Sequence, residues 1–346
     1  MHMADALMTP AVGGVMWGAT AMATVYCAKK VREELDESKV PLMGVAGAFI
    51  FAAQMLNFSI PGTGSSGHIG GGLLLTVLLG PYAAFLVMTS VLGVQALFFA
   101  DGGLLALGAN AFNLGFFPAF VAFPLVYRHI VGDRPTGARI VTGGILGAVV
   151  GLLLGAMGVV LQTTTSGVAE LPFNAFMLMM MPIHLAIGIV EGLVTAGVIL
   201  FVYKAQPDIL TRSASGASLA GVRTRPVLTG LLVAAIFAGG AFAWFASASP
   251  DGLEWAIERV AGTEEIEGAT ANLHESAGAL QERTSFLPGY GFQDGEAAAA
   301  REDGWPVVDL GTTTAGVVGA GITLGIAALI GFVLRRRSAS RTPATF

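Results

Sequence analysis

The chain has 346 residues, 54% of them apolar and only 12% charged, with a formal net charge of −5. Soluble domains carry about 25% charged residues, so this composition, with a mean hydropathy of +0.72, excludes an ordinary soluble domain and points to the membrane. A single cysteine, Cys27, excludes an internal disulfide framework, while 48 glycines suit helices that approach closely in lipid.

The chain opens Met1-His2. A histidine in second place offers three nitrogens from one short segment: the α-amine of Met1, the amide of His2 and the His2 imidazole. Fused chelate rings of that size favour a square plane, the geometry of Ni(II) or Cu(II), with Co(II) as a competitor. Three donors leave one corner open. Met1 to Pro10 has no basic residue and carries Asp5, so it lacks the positive start of a cleaved signal. His2 is too large for ready methionine removal, so Met1 is expected to stay, and the first helix is expected to be a permanent part of the bundle.

About nine apolar stretches follow, near 8–28, 41–57, 68–79, 81–100, 109–130, 138–161, 173–204, 227–247 and 311–334. They predict an all-α polytopic membrane protein. The third is too short for an upright span, which needs about 20 residues; it is read as tilted or as a shorter element packed within the bundle. Cys27, near the inner end of the first helix, is assigned to packing.

Between the second and third stretches lies Ile60-Pro-Gly-Thr-Gly-Ser-Ser-Gly-His-Ile-Gly70, whose His68 is the candidate for the open corner. A metal-bound imidazole needs its other nitrogen satisfied; Ser65, Ser66 and His184 are the candidate partners, and the residues alone do not choose. His184 and Glu191 lie about two turns apart on one face of the seventh helix. Ionisable groups at that depth are functional candidates. Glu191 is read either as paired with a neighbouring helix through Asn110, Asn113 or Gln95, or as part of metal passage or coupling. His129, beside Tyr127 and Arg128, is read as interfacial.

Of the 18 basic residues, fifteen follow the first, fifth, seventh and last helices. The positive-inside rule then places the N-terminus and the His68 loop on the same extracytoplasmic face and the C-terminus in the cytoplasm. Only Arg259, Arg283 and Arg301 fall outside. The outer segment before the last helix holds thirteen of the 23 acidic residues. It reads as a solvated loop kept acidic for translocation, with cation gathering as the functional alternative. His274 within it is read as exposed or as a transient metal contact.

There is no HExxH, nucleophile elbow or Walker loop, so no hydrolysis of its own is expected. Two readings of another class are an intramembrane zinc enzyme built on His68, His184 and Glu191, and a structural or sensory membrane protein.

The stretches MHMADALMTPAVGG, NFSIPGTGSSGHIGGGLL and HLAIGIVEGLVTAGV resemble the CbiM/NikM group, the substrate-binding membrane components of energy-coupling-factor transporters for cobalt or nickel. The resemblance covers about residues 1–205. It implies an additional first helix before a six-helix core, metal held by nitrogens of Met1, His2 and His68, and separate partners: a transmembrane coupling (T) protein and cytoplasmic ATPase subunits in a prokaryotic cell membrane. It further assigns a small-residue stripe, Gly44, Ala48 and Ala52, to the surface that meets the coupling protein. Residues 206–226 read as a cytoplasmic linker. Residues 227–346, with Ser249-Pro-Asp-Gly-Leu-Glu-Trp255 and Leu287-Pro-Gly-Tyr290, resemble a fused NikN/CbiN-type PDGLE unit of two helices around an outer loop. Nickel is the expected substrate on the square-planar argument, with cobalt as the alternative.

Overall fold

The computed structural model describes residues 2–34, 37–168, 170–263, 266, 272–292 and 306–339; Met1, with its candidate amine ligand, lies outside them. Among these residues six helices are long and apolar enough to cross a membrane: α1 (Pro10–Glu34), α4 (Pro81–Phe99), α5 (Leu107–Val131), α6 (Gly137–Thr165), α7 (Phe173–Ala205) and α12 (Leu310–Ala339). Two apolar helices are shorter, α2 (Val40–Gln54) and α9 (Arg225–Gly239). At 15 residues each they rise only about 22 Å. Both stop short of the predicted ends. α2 gives way to a β-hairpin, and α9 breaks at Gly240 ahead of a 3₁₀ turn, Phe242–Phe245.

The third apolar stretch is α3 (Gly72–Leu79), eight residues, all buried. It is the short internal element of the two alternatives. Its start is displaced from 68 because Ser65–Gly67 pairs as β2 with β1 (Phe58–Ile60), in antiparallel register Phe58↔Gly67 and Ile60↔Ser65. Gly62 and Gly64 supply the positive φ (79° and 76°) that the connecting turn demands. The prediction of helix from residue 68 on missed this hairpin, because three-residue strands carry no readable alternation.

α6 and α7 cross closely because glycines face the contact. A Cβ on Gly192 would lie 2.4 Å from the Ile145 Cα, so backbones meet there without side chains between them. α8 (Pro207–Ala214) follows α7 as a short amphipathic turn in the expected linker, and Ser213 donates to the Leu78 carbonyl (2.7 Å). The middle of α5, Phe112–Tyr127, winds with the wider π-helical repeat around Pro118 and Pro124.

The outer segment is not a plain loop. It contains α10 (Gly252–Ala261) and α11 (Asn272–Thr284). It also clasps the hairpin: Ser66 N–H donates to the Pro250 carbonyl (2.7 Å), Trp255 Nε1 to the Thr63 carbonyl (3.0 Å) and Ser247 N–H to the Asn57 carbonyl (2.8 Å).

The stripe expected on a partner-facing surface is covered by the chain itself. Gly44, Ala48 and Ala52 are buried, and a Cβ on Gly44 would lie 3.0 Å from the Leu324 carbonyl oxygen of α12 and 3.4 Å from Ala328. Gly44 admits the last helix of the same chain, and all three residues of the stripe are buried in the fold.

Candidate metal centre

His2 and His68 meet. Their rings stack with centroids 5.0 Å apart and planes 27° from parallel. The opening segment is brought there by backbone anchors: Met3 N–H donates to Asn110 Oδ1 (2.8 Å), Asn110 Nδ2 to the Met3 carbonyl (3.1 Å), and Gly103 N–H to the same carbonyl (2.9 Å). Asp5 accepts from Ala106 N–H (2.9 Å). Residues 2–8 are thereby tied to the loop and first turn of α5.

His68 follows β2 directly and is held from three helices. Gln54 of α2 donates to the Gly70 carbonyl (2.8 Å) and accepts from Gln95 of α4 (2.8 Å). Glu191 of α7 accepts from Gly70 N–H (3.0 Å) and Gly71 N–H (2.9 Å), one on each carboxylate oxygen. Gly71 has φ 78°, a conformation glycine takes without strain, and this lets both amides face Glu191. The expected partners of Glu191 are engaged elsewhere: Asn113 with Gln162 (2.8 Å), Asn110 with Met3, Gln95 with Gln54.

The tautomer of His68 follows from its neighbour. Nδ1 lies 3.1 Å from the Ile69 carbonyl, which can only accept, so Nδ1 carries the hydrogen and Nε2 the lone pair. The backbone satisfies the second nitrogen, not Ser65, Ser66 or His184. Ser66 donates its hydroxyl to the Ser249 carbonyl (2.7 Å), and Ser65 donates to the Ser66 carbonyl (3.0 Å). Burial, reinforced by the adjacent His2, pulls the His68 imidazole down to about 3. At neutral pH it is an uncharged donor.

His184 bonds its own helix through Nδ1 and the Met180 carbonyl (2.8 Å); its Nε2 is buried without a hydrogen-bond partner. It lines a cavity of about 10 Å³ with His68, Asp251 and Gly252. His274 sets Nε2 on the Met8 carbonyl (2.9 Å), so it pins the opening segment. Among the described residues no three His, Cys, Asp or Glu side chains are placed to hold a metal ion together. The zinc arrangement of His68, His184 and Glu191 is therefore not assembled.

Two carboxylates that sequence reading missed complete the surroundings. Asp101, in the loop after α4, accepts from His2 Nδ1 (2.8 Å) and from the Tyr290 hydroxyl (2.5 Å). Burial alone would raise its carboxyl; His2 and the two hydrogen bonds outweigh that and hold it down at about 2. Burial and Asp101 push the Tyr290 hydroxyl well above the usual phenol range. Asp251 places Oδ2 3.8 Å from His68 Nε2. Its Oδ1 caps α10 by accepting from Leu253 and Glu254 N–H, while Glu254 accepts from Asp251 N–H (2.9 Å). Burial works against this carboxylate, but the positive charge of the N-terminus and the hydrogen bond from Glu254 N–H hold it below the ordinary range. Asp251-Gly-Leu-Glu254 is a capping box, a signal present in the sequence that would have placed both residues at a helix start. Asp101 has no comparable local signal.

His2, His68, Asp101, Asp251 and Glu254 line a cavity of about 450 Å³ that opens between the bundle and the outer segment. Replacing Asp251 by alanine is expected to cost about 1 kcal/mol in lost capping. Faster hydrogen exchange at the Leu253 and Glu254 amides, with the rest of the bundle unchanged, checks this.

Comparison with known proteins places the chain among metal transporters. Residues 2–209 match the family model for the cobalt uptake substrate-specific transmembrane region (CbiM), and residues 225–336 match the PDGLE domain. A protein of Archaeoglobus fulgidus named as a fused nickel transport protein, NikMN, is 32% identical over 97% of this chain and 98% of its own length. The cobalt transport protein CbiM of Sorangium cellulosum is 32% identical over 61% of this chain and 95% of its own. A crystal structure of a transition metal transporter superposes with a TM-score of 0.53 at 32% identity, covering 61% of this chain and 97% of that one.

Proposed function

This chain belongs to the CbiM family of cobalt uptake transmembrane proteins and carries a PDGLE domain behind it, and from that premise we propose that it is the substrate-binding component of an energy-coupling-factor transporter for Ni(II). It is a multi-pass membrane protein and a nickel or cobalt transport component by family. The finer reading is ours. The metal is captured from the extracytoplasmic face in a square plane made of the Met1 amine, the His2 amide, the His2 imidazole and His68. The observation that carries it is the convergence of His2 and His68 at 5.0 Å, with His68 held neutral and both residues lining one cavity.

The same reading divides the chain into a metal-binding domain (1–205), a cytoplasmic linker (206–226) and a PDGLE unit (227–346). A transmembrane coupling protein and ATPase subunits on separate chains drive uptake. With α2 covered by α12, the coupling protein meets a different face from the Gly44 stripe. Nickel is favoured over cobalt because a plane of four nitrogens, one an ionised amide, suits low-spin d⁸ Ni(II); cobalt remains the alternative substrate.

The test is the N-terminus. An extension of several residues ahead of Met1 takes the primary amine away from the His2 chelate, whereas a single added residue would only rebuild a four-nitrogen plane around the same histidine. The extended protein is expected to lose its tightly held equivalent of Ni(II), with the square-planar absorption band, while keeping its thermal stability. Full retention of the metal by the extended protein would overturn the chelate.

A further inference from the structure

The ring nitrogen that His2 must bring to such a chelate is already engaged. A metal bound to the His2 amide nitrogen closes a six-membered ring through Cα, Cβ and Cγ only with Nδ1; Nε2 lies on the far side of the imidazole. In the structure it is Nδ1 that donates to Asp101 Oδ1 at 2.8 Å, and the His2 side chain is only 8% exposed. Nε2 is buried without a hydrogen-bond partner. One nitrogen cannot serve both a carboxylate, as N–H donor, and a metal, as lone-pair donor.

Asp101 is itself held, and by the fused unit. Tyr290 stacks on Phe99 (5.2 Å, 18°) and donates its hydroxyl to Asp101 Oδ2. Gln281 of α11 donates Nε2 to the carbonyls of Ala96 (2.9 Å) and Gly102 (2.8 Å), on either side of Asp101. Leu287 N–H reaches the Phe98 carbonyl at 3.4 Å. The loop that carries Asp101 is thus pinned from the outer segment.

We propose that Asp101 is a positioning residue that parks the His2 imidazole by its chelating nitrogen, in competition with the metal, and that Tyr290 of the PDGLE unit sets how firmly it is parked. Loading exchanges the Asp101 hydrogen bond for a metal bond at Nδ1: the imidazole turns about its Cβ–Cγ bond and its hydrogen passes to Nε2, so no net proton is lost from the ring in the exchange. The contact keeps the second residue stacked on His68 and ready, at the expense of some affinity. The inference rests on the ligand set proposed above.

The competition has a size. A hydrogen bond to a charged group contributes about 1.5–3 kcal/mol, so removing it relieves a competitor worth about tenfold or more in apparent affinity. The experiment uses the full chain with a free N-terminus, stripped of metal by a chelator and labelled with ¹⁵N-histidine; the signal of His2 is assigned with His2→Ala. In the wild type, His2 is expected as the Nδ1-protonated tautomer, shifting to a mixture in Asp101→Ala. Ni(II) association is expected to be about tenfold faster in Asp101→Ala, with intermediate values in Asp101→Asn and Tyr290→Phe and an unchanged dissociation rate. Tyr290→Phe removes one oxygen and guards against a folding defect in the alanine variant. A His2 tautomer insensitive to Asp101, or slower and looser nickel binding in Asp101→Ala and Tyr290→Phe, overturns the proposal. Failure of the ligand set itself shows separately, as nickel retained by His2→Ala, because the tautomer is read without metal.

Discussion

Tight retention of Ni(II) is expected to vanish in His2→Ala and to fall at least about a hundredfold in His68→Ala, a loss beyond the 10–100-fold typical of outer-shell changes. The two variants differ because the nitrogens do different work. A peptide amide ionises onto a metal only when donors on both sides anchor the ion. Removing the His2 imidazole removes one anchor and with it the amide, leaving the amine and His68 alone. Removing His68 opens one corner, which water fills, and the three nitrogens of the opening segment still hold the plane. Equilibrium competition with a calibrated chelator separates the two, and the absorption band reports the plane directly. Affinity in the wild type should rise with pH, because the amine and amide must lose protons. His68 adds no step to that dependence near neutrality, since burial already keeps it neutral. Equal, modest losses in both variants would mean that the rings flank the site without binding the metal.

The sequence carried the membrane class and the number of long spans to within the short helices. Composition and spacing suffice for those, because a run of apolar residues must satisfy its backbone internally in lipid. The same reasoning misplaced what depends on contacts far apart in the chain. Glu191 was legible as a costly buried group, but its partners are main-chain amides at Gly70 and Gly71, which no side-chain inventory lists. The stripe on α2 was legible as small, but not what it admits; a helix nearly three hundred residues later fills it. Asp101 sits in an Ala-Asp-Gly-Gly loop whose composition says only turn. Its role exists because Tyr290 and His2 arrive from opposite ends of the chain. The hairpin before His68 was hidden for a local reason: its strands are three residues long and hold their place through the outer segment as much as through each other.

Glu191 provides the second large effect. It is 3% exposed and gives one carboxylate oxygen to each of two consecutive amides that lead out of His68. Glu191→Ala leaves both N–H groups buried without acceptors, at about 1–3 kcal/mol each, and no water reaches them cheaply at that depth. Gln is nearly isosteric but is no rescue. It offers one acceptor and one NH₂ group, so one amide faces another donor. Both variants are therefore expected to loosen the turn, with Glu191→Gln about halfway. Hydrogen exchange at Gly70 and Gly71 is expected to speed up by about tenfold or more for each 1.4 kcal/mol lost. Nickel affinity should fall by about 10–100-fold, as for other groups that orient a ligand without touching the metal. The result that decides the role is the link between the two readouts. If exchange accelerates while nickel affinity stays at the wild-type value, the turn is a structural joint and His68 is fixed by the Ile69 carbonyl and the hairpin alone. If both move together across Gln and Ala, the carboxylate of α7 sets the position of the metal-binding imidazole, and a tilt or shift of that helix is a physical means of releasing the ion.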